Sequence, residues 1–372
     1  MNAFSPSERR AVIDVGSNSV KLLVADMGAR LMPVLKLSRP TSLGRGVFRR
    51  GRLQHQAIAR TVSVVAEFVA RAAELHPASL QIIATSAARE AANGQDLVEA
   101  IFRATQLTVE LISGDQEADF LFHGVMNQPE LRTRPLLIMG VGGGSTQWVV
   151  AEGGVARLGF SARLGTRRLW EDCAPGDPPT RGDLVRLRQV VTDCLRREVR
   201  PRILPRLTSP SRQKFCLVGS GGGLNALAKL AAVELPGVGE LARLSAGQIR
   251  QQIDRLQGLS AQERRQLPGL NPEKAESVFA SAIIYEAVMV EFNFAELSLS
   301  RHGLRSGVLV VPQTRVGEPR SWVAGSGPVP CLPGTRPPPS PAARGIATDG
   351  APTPLGLNPT VCLPGSRRIN PP

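Results

Sequence analysis

The sequence predicts an α/β protein with two domains, on three observations. A short apolar run, a small-residue turn with a hydroxyl and a second apolar run occur at residues 11–26 and again at residues 137–152. Each copy is typical of a hairpin with a glycine tip, and the shared order of elements favours duplication over two unrelated hairpins. The 372 residues exceed what one hydrophobic core usually supports. Further short apolar strands alternate with segments of helical periodicity, as in α/β folds.

The two hairpin tips are suited to binding phosphate. Glycines let backbone N–H groups approach an anion closely, and hydroxyl groups add donors at the same place. These hydroxyls belong to Ser17, Ser19, Ser145 and Thr146. Neither tip is a Walker A loop, because the glycines lead into a strand and no Lys-Ser or Lys-Thr pair opens a helix. Two ordinary glycine turns without a ligand are the alternative.

Composition excludes several classes of protein. A hydrophobic content of 42% suits globular cores, and no apolar run reaches the length of a membrane span. The first ten residues are polar and lack the apolar centre of a signal peptide, so we predict a cytoplasmic protein. The five cysteines are scattered without a Cys-x-x-Cys pair, which predicts free thiols rather than a disulfide framework or a zinc site.

The net charge of +14 has three explanations. Nucleic-acid binding is disfavoured, because the arginines are spread along the chain, aromatic residues are only 4%, and no helix-turn-helix or zinc-finger spacing occurs. Attraction of a polyanionic small substrate explains the charge, and so does solubility in a coding background that favours arginine. The sequence alone does not decide between the last two explanations.

Three segments follow the first hairpin. We predict a glycine-punctuated basic loop at residues 45–53, a helix at residues 56–75 and a strand at residues 80–84. Ligands sit beyond strand ends in α/β folds, so Arg89, shortly after this strand, is a candidate phosphate ligand. A solvated arginine in the first turn of a helix is the alternative.

A further strand at residues 107–112 is followed by three acids, Asp115, Glu117 and Asp119. Acids grouped directly after a strand are candidates for a metal site or a general base. Capping of the next helix is the alternative, since acids there favour the helix dipole.

In the second half, residues 180–202 are typical of a helix, residues 215–218 of a strand and residues 219–223 of a glycine turn. Residues 278–290 are typical of a further helix. The glycine turn between strand and helix is a second candidate anion cradle. A Rossmann fingerprint is excluded there, because Leu224 occupies the last glycine position. Proline and glycine dominate residues 312–372, which predicts a disordered tail.

Together these motifs resemble the exopolyphosphatase/guanosine pentaphosphate phosphatase (Ppx/GppA) family. The resemblance rests on the two hairpins, on Ala-Thr-Ser-Ala-Ala-Arg-Glu-Ala, Ile-Ser-Gly-Asp-Gln-Glu-Ala and Val-Gly-Gly-Gly-Ser-Thr, and on Gly-Leu-Arg-Ser-Gly near the end. It implies the actin-like ATPase (ASKHA) superfamily fold, with two ribonuclease-H-like α/β domains and a cleft between them. We place these domains at residues 1–124 and 125–311, with the elements near residues 299–311 returning to the first domain.

The resemblance also implies roles for individual residues. The first phosphate loop would comprise Asp14, Gly16, Ser17, Asn18 and Ser19, and the second Gly142, Gly143, Gly144, Ser145 and Thr146. Arg89 would bind a substrate phosphate, and Glu117 matches the acid that positions or deprotonates the attacking water. The implied cofactor is Mg²⁺, with Asp14 as its ligand. The implied substrate is polyphosphate or guanosine pentaphosphate.

Three positions depart from the family pattern. Gly140 and Gln147 replace usual acids, and Gly223 replaces a usual threonine. The change at Gly140 removes a magnesium ligand, and the carboxamide of Gln147 can orient water but cannot accept its proton at neutral pH.

The sequence therefore predicts a hydrolase that releases terminal phosphate, with Glu117 and Gln147 as its catalytic residues. The alternative is a weakened family member that binds or senses polyphosphate or guanosine polyphosphates. A sugar kinase or acetate-kinase-like relative on the same fold fits the acid motif less well. We expect the substrate as partner, no membrane and no specific nucleic acid, and we leave a homodimer open against a monomer.

Overall fold

The structure is a computed structural model that describes residues 8–207, 215–231 and 241–311. Within these residues, eleven strands and thirteen α-helices form two mixed β-sheets with helices on their faces. The predicted tail lies outside the described residues, as do Cys331 and Cys362. Cys173, Cys194 and Cys216 are free thiols, as predicted.

The first sheet has five strands in the spatial order β3-β2-β1-β4-β5. The strands are β1 (Glu8–Val15), β2 (Ser19–Met27), β3 (Leu31–Pro40), β4 (Ser79–Ala84) and β5 (Val109–Leu111). Strand β2 is antiparallel to both of its neighbours, β1 and β3, and β4 and β5 extend the sheet in parallel to β1. The core-facing strands β1 and β2 are buried along most of their length, as their apolar sequences require.

The second sheet has six strands in the order β10-β11-β9-β6-β7-β8. The strands are β6 (Leu136–Val141), β7 (Thr146–Glu152), β8 (Val155–Ala162), β9 (Cys216–Ser220), β10 (Arg243–Ser245) and β11 (Glu296–Leu299). Strands β6, β7 and β8 are antiparallel neighbours, β9 and β11 are parallel to β6, and β10 is antiparallel to β11.

The two sheets repeat one plan. Each contains a hairpin, a third antiparallel strand on one side and a parallel strand on the other. A register irregularity interrupts the second strand at the equivalent place in both sheets, after Val24 and after Val150. The predicted α/β class with two related units is therefore confirmed.

The helices agree with the prediction in most places. They are α1 (Val47–Arg50), α2 (His55–Ala73), α3 (Ser86–Glu90), α4 (Gly94–Thr105), α5 (Gly114–Met126), α6 (Thr166–Cys173), α7 (Arg181–Cys194), α8 (Arg200–Leu207), α9 (Gly222–Leu230), α10 (Ala246–Gln257), α11 (Ala261–Arg265), α12 (Val278–Glu291) and α13 (Leu304–Val310). A π-helical turn, Leu195–Val199, joins α7 to α8 across the predicted long helix. The predicted basic loop is wrong in one respect, because it contains the single helical turn α1. None of the helices in the described part of the chain combines the length and the apolar composition that a membrane crossing needs.

Helix α5 contacts both sheets and joins them. Phe120 packs with Val12 of the first sheet, whereas Leu121 packs with Ile138 of the second. Helix α13 lies against α5 on the side of the first sheet, where Val308 joins the same cluster as Phe120. The last described helix thus packs on the first sheet, although the division of the chain at residue 124 stays a prediction.

The crossing of α5 and α13 predicts that Gly307→Ala is strongly destabilising. The new methyl group would overlap the carbonyl oxygen of Phe120, which is backbone and cannot rotate away. We expect the free energy of unfolding to fall by about 1–3 kcal/mol in a urea titration followed by circular dichroism. Gly258→Ala is the control, because an added Cβ meets nothing within 4 Å and the backbone there suits alanine. Equal decreases for the two variants would contradict the packing argument.

Candidate active site

Both predicted glycine tips adopt the same tight turn. The N–H of Gly16 donates to the carbonyl of Ser19 at 3.2 Å, and the N–H of Gly142 donates to the carbonyl of Ser145 at 2.9 Å. Both tips are four residues long, because the last paired residues are Val15 with Val20 in the first hairpin and Val141 with Thr146 in the second. The two copies are therefore alike in backbone hydrogen bonding as well as in sequence.

The two tips touch each other. A methyl group placed on Gly143 would lie 2.8 Å from the Cβ atom of Ser17, closer than carbon atoms pack. A methyl group on Gly144 would lie 2.5 Å from the hydroxyl oxygen of Ser86 and would overlap the ring of Phe48. Neither glycine has a positive φ, so the close approach of the two hairpins is what requires glycine here.

One cavity of about 390 Å³ is lined by both tips. The predicted site residues that line it are Asp14, Gly16, Ser17, Asn18, Ser19, Glu117, Gly142, Gly143, Ser145 and Gln147. The glycine turn at residues 221–223 and the segment at residues 300–306 complete its walls. The structure thus brings together ten residues that the sequence places in separate motifs.

Three predicted site residues lie elsewhere. Thr146 is fully buried and its hydroxyl donates to the carbonyl of Leu164 at 2.5 Å, because alternate residues of β7 face opposite sides of the sheet. Gly144 packs against neighbouring side chains beside the contact between the tips. Arg89 lies behind Glu117 and donates through Nη1 to that carboxylate. The hydroxyl of Thr146 therefore holds the chain that follows β8, and a contact of this residue with phosphate stays a prediction.

Glu117 is a buried carboxyl at the floor of the cavity, in the first turn of α5 and 4% exposed. Its Oε1 accepts a hydrogen bond from Nη1 of Arg89 at 2.6 Å, and its Oε2 accepts one from Nε2 of Gln147 at 2.8 Å. Burial raises the pKa of Glu117 to about 7, although the charge of Arg89 acts to lower it. A carboxyl group with this pKa can accept and release a proton near neutral pH.

Capping of α5 is provided by residues other than the three acids. The Ser113 hydroxyl accepts from the N–H of Gln116, and the Gln116 side chain accepts from the N–H of Ser113. Asp115 is exposed in the first helical turn. The charge of Asp115 there favours the helix dipole, so the capping alternative accounts for Asp115, but it does not account for the burial and hydrogen bonds of Glu117.

Cations that the sequence analysis did not single out line the same cavity. Six lysines and arginines line it, against the two acids Asp14 and Glu117. Lys21 faces Asp14 across the hairpin, with Nζ 3.7 Å from Oδ2. Burial lowers the pKa of Lys274 to about 8, and the charge of Lys21 adds to this effect. The cross-strand pairing of Asp14 with Lys21 is the signal that sequence analysis could have used.

Asp14 is the residue that suits magnesium. Mg²⁺ usually takes one or two carboxylates together with substrate phosphate oxygens and water. Asp14 is buried and faces the cavity, whereas both oxygens of Glu117 already accept hydrogen bonds. Among the described residues no three His, Cys, Asp or Glu side chains come together to hold a metal ion. These donors fit an ion held by Asp14 and the substrate jointly, not one held by protein ligands alone.

The two departures from the family's acids are neighbours in space. Gly140 pairs directly with Gln147 across β6 and β7. A methyl group on Gly140 would lie 3.7 Å from Oε1 of Gln147 and 3.0 Å from a methyl carbon of Leu121. The two changes therefore alter a single spot beside Glu117.

Comparisons with known proteins find related sequences along most of the chain. The model of the Ppx/GppA phosphatase family matches residues 22–314. Exopolyphosphatase 2 of Mycobacterium tuberculosis is 31% identical over 321 residues, which cover 81% of this chain and 97% of that protein. Exopolyphosphatase 1 of Mycobacterium leprae is 26% identical over 306 residues, which cover 81% of this chain and 88% of that protein.

Solved structures agree as well. A Ppx/GppA enzyme of Aquifex aeolicus has a TM-score of 0.64 at 29% identity and covers 82% of this chain and 99% of its own. An exopolyphosphatase of Cytophaga hutchinsonii, 23% identical, has a TM-score of 0.72 over 81% of this chain and 96% of its own, a likeness of fold. Because the family model covers residues 22–314 and a relative that is 31% identical is matched over 97% of its length, the chain belongs to the Ppx/GppA phosphatase family.

Proposed function

We propose that the chain is an exopolyphosphatase-like hydrolase that releases the terminal phosphate of linear polyphosphate by attack of water. The observation that carries this proposal is Glu117, a buried carboxyl with a pKa near 7 at the floor of a cavity between two glycine tips. The relatives named exopolyphosphatases support it. Guanosine pentaphosphate also ends in a phosphoanhydride, and it is the second substrate of this proposal.

Binding of the terminal phosphates is assigned to the tips and to the cations beside them. Backbone N–H groups of the glycines and the hydroxyls of Ser17 and Ser145 donate to phosphate oxygens. Lys21 and Lys274 neutralise charge on the same phosphates. This preorganised set of donors stabilises negative charge on the transferred phosphoryl group without rearranging during the reaction.

Water activation is assigned to Glu117. The deprotonated carboxylate accepts a proton from water as the water oxygen bonds to the terminal phosphorus and the bridging P–O bond breaks. Arg89 and Gln147 hold the carboxylate in place through one hydrogen bond to each oxygen. Gln147 also donates to the hydroxyl of Ser145 at 2.9 Å, which links the floor of the cavity to the second tip. Magnesium, held by Asp14 and substrate oxygens, would supply further charge neutralisation.

A phosphate-binding protein with weakened turnover is the second candidate function. The observation that favours it is the pairing of Gly140 with Gln147, which leaves Asp14 and Glu117 as the acids lining the cavity. The cytoplasmic location and the homodimer stay predictions from sequence.

We expect Glu117→Gln to lower phosphate release from polyphosphate by about 10²–10⁴-fold, because glutamine cannot accept the proton. For the wild type, kcat/KM should rise with pH through about 7, since the deprotonated form of Glu117 is the active one. Glu99→Gln, on the exposed face of α4, is the matched control and should behave as wild type. A Glu117→Gln variant within tenfold of the wild-type rate would exclude Glu117 as the base.

Glu117→Gln should also change the pH dependence of stability. Because the pKa of Glu117 is raised in the folded state, the protonated carboxyl favours folding below about pH 4.5, and this contribution is lost as pH rises through about 7. Glutamine does not ionise, so the variant does not lose this contribution as the pH rises. Relative to wild type, its free energy of unfolding should therefore increase between pH 4.5 and 7, by an amount on the order of 2 kcal/mol. A constant difference in urea titrations across this range would contradict the raised pKa.

The double variant Gly140→Asp with Gln147→Glu separates the two candidate functions. Under the hydrolase proposal, the wild type releases phosphate in the presence of magnesium, and the double variant releases it at the same rate or faster. A silent wild type beside an active double variant would establish the binding function instead. The substitution is feasible, because the nearest atoms to a new Cβ at position 140 are the side-chain methyl groups of Leu121, which can move.

A further inference from the structure

A second cavity, which we name the arginine chamber, adjoins the active-site cavity. It has a volume of about 610 Å³ and is lined by residues of α1 and α6 and by residues 261–277 in part. Asn18, Thr166 and Ser277 line both cavities, so the two cavities adjoin. Nδ2 of Asn18 donates to the Thr166 hydroxyl at 3.2 Å, and Nε of Arg167 donates to Oδ1 of Asn18 at 3.1 Å. The first glycine tip therefore forms part of both cavities.

The chamber is rich in arginine, and three of its arginines form no ion pair within the described part of the chain. Five arginines line it, against three acids. Arg45, Arg49 and Arg50 are exposed, and within the described ranges no carboxylate lies within ion-pair distance of their guanidinium groups. Three like charges in so short a segment repel one another, and an anion between them relieves this repulsion. They come from the basic segment at residues 45–53, to which the proposed reaction gives no role.

The acids of the chamber are already engaged by the protein. Glu276 forms ion pairs with Arg167 and Arg265 at 3.3 and 3.2 Å. Asp177 accepts a hydrogen bond from a backbone N–H group at 2.7 Å. Glu171 also accepts one at 2.7 Å, while its second oxygen is buried without a hydrogen-bond partner. The five arginines outnumber the three acids, so the formal charge of the lining is positive.

We infer that the arginine chamber binds the distal phosphates of a linear polyphosphate whose terminal phosphate lies at Glu117. This inference rests on the proposed function and names the part of the substrate that the second cavity takes. Guanidinium groups suit phosphate oxygens because they donate two parallel hydrogen bonds and keep their charge at all relevant pH values. A polyphosphate carries a charge on every unit, which matches several cations better than a nucleobase does. Tripolyphosphate has only three phosphate units, so it serves as the short comparison that lacks a long distal chain.

The test compares long-chain polyphosphate with tripolyphosphate on the full chain. The double variant Arg49→Ala with Arg50→Ala removes exposed side chains and should keep the wild-type thermal transition. By isothermal titration calorimetry, its Kd for long-chain polyphosphate should rise about tenfold, while its Kd for tripolyphosphate stays within about twofold of wild type. The slope of log Kd against log salt for the long chain should fall by about two, because each guanidinium group that is removed would have neutralised one phosphate.

The control is Arg60→Ala with Arg103→Ala, which removes the same charge from exposed positions on α2 and α4. Equal weakening by the control would show a general charge effect and overturn the inference. Unchanged long-chain binding by the Arg49 and Arg50 variant would overturn it too. So would a variant that binds guanosine tetraphosphate more weakly but polyphosphate as wild type does, since that result would assign the chamber to a nucleoside. If wild type binds and cleaves polyphosphate while the variant does so equally well, this inference alone fails. A wild type that neither binds nor cleaves polyphosphate would refute the proposed function itself.

Discussion

Direct contact between the two glycine tips is the constraint on which the rest of the structure depends. Gly143 lies so close to Ser17 that no side chain fits between them. Because the tips end hairpins of different sheets, this contact sets the distance between the sheets at the level of the cavity. Neighbouring contacts support it, since Arg168 donates to both oxygens of Glu90 and its guanidinium lies 4.1 Å from the ring centre of Phe48. Charges buried near this contact, such as those of Asp14 and Glu117, interact more strongly than they would in water.

Electrostatics in the cavity follow from this closure. Burial makes the charged form of Glu117 costly, and Arg89 offsets only part of that cost, so the carboxyl titrates near neutral pH. Lys36 and Lys274 in the walls show the opposite effect, because burial and neighbouring cations lower the pKa of each ammonium group. A polyanion entering the cavity would stabilise these cations. This arrangement of buried cations that repel one another thus favours a phosphate chain, as is common at functional sites.

Gln147 occupies one of the two positions at which the family resemblance leads us to expect an acid. Its amide donates to both Glu117 and Ser145, and a carboxylate, which has no donor, could not do so. A glutamate here would place two carboxylates side by side and would require a cation between them. With Gly140 opposite, the chain carries less negative charge at this spot. Asp14, on the other hairpin and paired with Lys21, is the carboxylate that we propose for magnesium.

The sequence by itself determined the local features: both hairpins, the strand that leads to Glu117 and the α/β class. These depend on glycine turns and on the alternation of apolar residues, which act over a few positions and are therefore visible in the chain. Strands β3 and β8 were missed because they are edge strands with mixed exposure and weak apolar pattern. Only the tertiary structure decided which residues meet in the cavity. It brought Lys274 beside Lys21, turned Thr146 away from the cleft and placed Arg89 behind Glu117. Burial by distant parts of the chain sets such contacts and the pKa values that follow from them, and no local pattern records that burial.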